Sequence, residues 1–289
     1  MASSSTRRTR RYRPIATFLV LAFIVFCALY ILFIRGEKSR LQQWLRPVPE
    51  KSAYQNPELK LPPTKRRKDK ISNEGVYLQY CGFTTISMCH NIETLKYIED
   101  FIQNNRVLRK CISPLPYTSY HMTTYDIYSN AEPPIKFVQD WLDGDQTRTA
   151  TQEKCIPTED VYPIMKSAQQ VWDKTGNKPF TVETEYLKRG AGSISIRVAM
   201  DDTELIKKFD DARLEANKVF SKIYIYRRLH ITLGYFYANF QDLPTEEQAE
   251  FELELDKLEQ QILPKRFTLN PPVVTSFASM AQFIPIVDK

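Results

Sequence analysis

Two tripeptides have the residue types for proton transfer: His121-Met122-Thr123 within SYHMTTYDIY and His230-Ile231-Thr232 within RRLHITLGYFY. The 289-residue chain has three histidines, and two of them sit in this His-x-Thr setting. Both surroundings are rich in Tyr, Thr, Ile and Leu, which predicts β-strands. Strand side chains alternate between faces, so each histidine and the threonine two places on point the same way. In the second strand Leu229, Ile231, Leu233 and Tyr235 then make the opposite, apolar face, suited to packing on a helix. Two such strands side by side would set two imidazoles and two hydroxyls around one cleft. Cleaving a phosphodiester needs a base for the attacking oxygen's proton and an acid for the leaving oxygen. Histidine serves in either role near neutrality, and a threonine hydroxyl can donate to a non-bridging phosphate oxygen.

On these residues the chain resembles the 2H phosphoesterase superfamily, which is named for two His-x-Thr/Ser motifs. That superfamily includes RNA 2′,3′-cyclic phosphodiesterases, 2′,5′-oligonucleotide phosphodiesterases and an RNA-trimming exonuclease. The tracts LPYTSYHMT, LHITLGY and PPVVTSFASMAQFIPI are most similar to a membrane-anchored branch of it. The resemblance covers residues 71–289. It implies an α+β class: a bilobal 2H-phosphoesterase-like domain with two antiparallel sheets flanked by helices around a central cleft. It also implies catalytic roles for His121 and His230, one as base and one as acid, phosphate binding by Thr123 and Thr232, and neither metal nor cofactor. The residues alone leave other readings open. Two strand histidines bonded to backbone would look the same, and a zinc site would have only His90 as a third imidazole, with no paired cysteine spacing.

The elements that must position these residues follow from periodicity and turn signals. YLQYCGFTTISMC predicts a first strand, and Leu95, Ile98, Phe101 and Ile102 predict a helix over 92–107. Pro114 and Pro116 bracket a turn into the first motif strand, where Tyr125 follows His121 and Thr123 on the cleft face as a further substrate contact. Residues 130–160 read as a polar, irregular excursion or lid, with an apolar patch at 135–142. A helix over 162–174 ends before Gly176, and strands over 180–186 and 193–198 form a hairpin. In its second strand Ile194, Ile196 and Val198 share one face; Ser193, Ser195 and Arg197 share the other, from which Arg197 could hold phosphate. A helix over 202–220 precedes the second motif strand. Thr245 and Gln248 form a capping box for a helix whose Phe251, Leu255, Leu258 and Ile262 make a core stripe. Residues 267–286 supply closing strands.

Charge divides the chain. Residues 1–70 hold 16 Lys and Arg against 4 Asp and Glu, a net +12, whereas residues 71–289 hold 24 against 30, a net −6. A protein gripping a long nucleic acid carries its basic footprint on the folded part, so the expected partner is a nucleotide or short oligonucleotide, bound by a monomer. Residues 15–34 are twenty residues without a charge, long enough to span a bilayer. They predict an anchor between a basic tail (1–14) and a flexible basic stem (35–70). The denser N-terminal arginine cluster favours a cytosolic N-terminus and a lumenal or extracellular domain. Outside the anchor, Cys81, Cys89, Cys111 and Cys155 could form two disulfides or remain thiols. The same topology suits a type II membrane glycosyltransferase using Asp143 and Asp145 as its metal-binding Asp-x-Asp. A third reading is a catalytically inactive nucleotide-binding module with the same cleft.

Overall fold

The structure, a computed structural model, describes residues 69–145, 148, 155–190, 192–222, 228–263 and 265–286. The expected anchor at 15–34 and nearly all of the stem lie outside the described residues. Among the described residues no helix is long and apolar enough to cross a membrane.

Among the described residues the β-branched and aromatic runs form nine strands: β1 (Gly82–Met88), β2 (Ile112–Pro114), β3 (His121–Ser129), β4 (Phe180–Arg189), β5 (Ser193–Ala199), β6 (His230–Phe236), β7 (Arg266–Leu269), β8 (Val273–Ser279) and β9 (Gln282–Pro285). Five α-helices intervene there: α1 (Ile92–Asn104), α2 (Lys136–Asp143), α3 (Thr158–Asp173), α4 (Thr203–Phe220) and α5 (Thr245–Ile262). The α+β class is as expected, but the two separate sheets are not. One antiparallel sheet runs β7-β4-β5-β6-β3-β1-β8-β9, with β2 also paired to β6. Strands β3 and β6 pair at one position, Met122 opposite Ile231, and the halves of the sheet touch again at a bridge between Cys89, just after β1, and Leu269 of β7. The motif strands thus join the halves rather than facing each other from separate sheets. Helices α1 and α5 pack together behind β2 and β4, and α3 and α4 pack together behind β8 and β3.

The apolar stripes fall where burial of roughly 25 cal/mol per Å² drives them. Phe251, Leu255, Leu258 and Ile262 of α5 are buried, and so are Ile194, Ile196 and Val198 on the facing side of β5. The capping box is absent. Helix α5 begins after Pro244 with no side-chain cap; Gln248 instead donates to the Gln241 and Leu243 carbonyls. Residues 136–143, expected as irregular chain, form α2, because Phe137 packs against Phe83, Tyr128 and Phe220. Gly234 is required by a close approach, since a Cβ there would lie 2.6 Å from the Ser113 carbonyl oxygen of β2.

Cys81 and Cys155 are joined in a disulfide, whereas Cys89 and Cys111 remain thiols.

Candidate active site at the β3–β6 seam

At the seam, Met122 and Ile231 lie opposite each other and are fully buried. Their neighbours therefore turn to the other face. Continuing the antiparallel pairing by one residue each way sets His121 beside Thr232 and Thr123 beside His230. In a regular antiparallel ladder such opposed side chains are about 5 Å apart at Cβ and diagonal ones about 7–8 Å; here His121 and His230 are near enough for the charge of one to lower the pKa of the other. The structure thus brings all four motif residues onto one face, with α3, α4 and α5 behind the other.

The two imidazoles are held in the same way. Nδ1 of His121 lies 2.7 Å from the Ser119 carbonyl oxygen, and Nδ1 of His230 lies 3.2 Å from that of Arg228. A carbonyl only accepts, so each Nδ1 carries a hydrogen and each neutral ring keeps its lone pair on Nε2. Burial drives the His121 pKa down to about 4; the Ser119 carbonyl opposes this, His230 and Lys70 add to it, and Asp126 opposes it. His230, half-buried, is lowered by the same desolvation and by the Arg197 and Lys188 cations, against the Arg228 carbonyl and Asp126. Both rings are therefore neutral at pH 7 when no ligand is bound.

Two bulges change which residues join them. Between Thr123 and Tyr125 the pairing with β1 skips a residue, leaving Thr124 unopposed. The alternation slips by one, so Tyr125 turns into the core rather than onto the cleft. It is fully buried between Trp172 and Phe220, and its hydroxyl donates to Asn217 at 2.9 Å. Asp126 takes the cleft position, which is why its carboxylate acts on both histidines. On β6 a second bulge at Leu233 turns Tyr235 from the expected apolar face toward the cleft, opposite Ser193. Burial, followed by the Asp126 charge, raises the Tyr235 phenol far above its ordinary range. The Lys70 ammonium sits 4.7 Å from the Tyr80 ring centroid and 5.4 Å from that of Tyr235.

Arg197 is where the alternation predicts. It lies directly opposite His230, and its Nη1 donates at 2.6 Å to the same Arg228 carbonyl that His230 uses. On the other flank Phe283 of β9 packs against His121, with ring centroids 4.2 Å apart. Strand β9 reaches His121 because the sheet curls until β9 meets the turn at Tyr117–Ser119. Asp126, Tyr235, Lys70 and Phe283 escape a motif reading. The first two are displaced by bulges and the last two come from distant segments.

The third histidine, His90, bonds Asn270 before α1. Among the described residues no group of three or more His, Cys, Asp or Glu side chains stands together as a metal site. Asp143 ends α2 and accepts a hydrogen bond from Gln139 at 2.8 Å.

No protein-family model matches the chain. It is similar to Uncharacterized protein 127L of Invertebrate iridescent virus 6, with 32% identity over 233 residues, covering 76% of this chain and 94% of that protein. In structure it is similar to a conserved protein of unknown function from Agrobacterium tumefaciens: TM-score 0.55, 16% identity, 78% of this chain and 93% of the other. That likeness shows the fold alone. A structure described as a phosphoesterase aligns at TM-score 0.42 and 11% identity, over 72% of this chain and 95% of its own.

Proposed function

We propose a metal-independent phosphodiesterase function for this chain, which belongs to the same family as protein 127L of Invertebrate iridescent virus 6. The observation that carries it is the matched pair of Nδ1-to-carbonyl bonds. They leave each Nε2 without its hydrogen, on the strand face that alternation also gives to Thr123 and Thr232. One ring accepts a proton as the other gives one up, which is the requirement of phosphoester cleavage. His121, the more deeply buried ring with pKa about 4, is the base. His230, less buried, takes up a proton with the phosphate and is the acid. A ribose hydroxyl or water attacks phosphorus while His121 Nε2 takes its proton. The bond to the leaving oxygen breaks, and that oxygen receives the proton from His230. Thr123 and Thr232 donate to the non-bridging oxygens, where charge builds up.

The substrate is a cyclic phosphate or a short 2′,5′- or 3′,5′-linked oligonucleotide. In this reading residues 15–34 anchor the domain on the lumenal or extracellular side. The Cys81–Cys155 disulfide supports an oxidising compartment.

In hydrolysis assays with a 2′,3′-cyclic nucleotide, His121→Ala and His230→Ala each lower kcat by about 10²–10⁴-fold and leave the circular dichroism spectrum unchanged. Activity persists in EDTA. A chelator-sensitive rate, or full activity in either variant, overturns the reading.

A further inference from the structure

The cleft face continues beyond the two motif strands, and the two sides of the seam differ in character. Directly opposed residues of an antiparallel ladder share a face. Arg197 opposes His230 and Tyr186 opposes Arg197, so one row crosses β6, β5 and β4. Ser195 opposes Thr232 and Lys188 opposes Ser195, making a second row beside it. A bulge at Glu185 keeps Tyr186 and Lys188 in phase with this face, while Leu187 turns into the core. In the other direction the rows run into Ile86 and Met88 of β1, and Phe283 closes over His121.

Access follows the same division. His121 is 7% exposed, whereas Tyr186 is 39% exposed and Lys188 is exposed. A ligand whose phosphorus sits at the seam therefore extends over β5 and β4, past His230. Two cations wait there. Among the described residues Lys188 makes no ion pair, and the buried Nε of Arg197 has no hydrogen-bond partner. Strand β4 lies two strand spacings, about 10 Å, from β6. Lys188 is thus placed for a group next along the substrate rather than for the phosphorus being cleaved.

We propose that Lys188 and Arg197, with Tyr186 beside them, form a subsite for a second phosphate of the substrate. The preferred substrate is then an oligonucleotide with a further phosphate on its leaving side, and Tyr186 offers a ring for the intervening base. This rests on the reading above, in which His230 is the acid on the leaving-group side.

The test compares the dinucleotide ApA with its 3′-phosphorylated form ApAp, using the full chain. Binding is measured by calorimetry at low salt, and turnover of the same ligands is measured separately. A charge-assisted contact to phosphate gives ApAp about a tenfold lower Kd, and Lys188→Glu removes that gap by weakening ApAp more than ApA. Equal affinities in the wild type, or a gap that survives Lys188→Glu, overturn the subsite. A gap without hydrolysis of ApA, ApAp, their 2′,5′-linked isomers or a 2′,3′-cyclic nucleotide refutes the two-histidine reading and leaves the subsite standing. Hydrolysis without a gap does the reverse.

Discussion

The imidazole of His121 shows how burial and a single hydrogen bond set a protonation state and a tautomer. Its ring is held by the Ser119 carbonyl and covered by Phe283, so the charged form is the costly one. In the unfolded chain the same ring titrates at the ordinary value of about 6.5. Between that value and about 4 the unfolded state binds a proton that the native state does not. Stability therefore falls as pH drops through this window, by up to about 1.4 kcal/mol for each pH unit descended, and is flat for this group above it. Urea unfolding at pH 7 and pH 5 should show this loss, and His121→Gln should shrink it. An identical pH dependence in the two proteins would mean that the ring is not held neutral. Only the two motif pairs and Arg197 were legible at this scale, because each obeys plain strand alternation. Tyr125 was misplaced by one bulged residue.

Elements explain that bulge. Thr124 leaves the ladder with β1, and its carbonyl oxygen accepts at 3.1 Å from Nε of Arg213 on α4, a buried cation whose Nη1 pairs with Asp210. Lys222, just past α4, donates to the Asp126 and Ile127 carbonyls at 3.0 and 2.9 Å. The helix behind the sheet thus holds the distortion that turns Asp126 toward the histidines. Arg213→Met removes a charged donor from a buried carbonyl and should cost about 2 kcal/mol. It should also lower kcat, as Asp126 loses its place. Unchanged urea midpoint and kcat would assign the bulge to β3 alone. Four of the five described helices were readable from the sequence to within a few residues, whereas α2 at 136–143 was expected as irregular chain. The cap of α5 was not, because Gln248 found carbonyls of the preceding turn.

At the scale of the whole molecule, the two halves of the sheet join at the Met122–Ile231 pair, where the candidate site sits, and again where Cys89 after β1 bridges Leu269 of β7. The Cys81–Cys155 disulfide ties the start of β1 to the approach to α3 across 74 residues. Closing a loop of that length stabilises the fold by about 4 kcal/mol. The double variant Cys81→Ala/Cys155→Ala should melt well below wild type in thermal scans and keep its kcat at permissive temperature, since neither sulfur touches the cleft. A kcat loss matching the drop in Tm would place the disulfide in the active geometry instead.

The amino-acid sequence by itself determined the chemical equipment: two His-x-Thr pairs, the strands that bear them, and the helices that bury the opposite side. These are local properties, set by side-chain type and by periods of 2.0 and 3.6 residues. Tertiary structure decided which strands became neighbours, where the ladders slipped, and which distant side chains closed the cleft. Register and curl come from long-range pairing and packing, so Asp126, Phe283 and Lys188 acquired their positions only when strands far apart in the chain met.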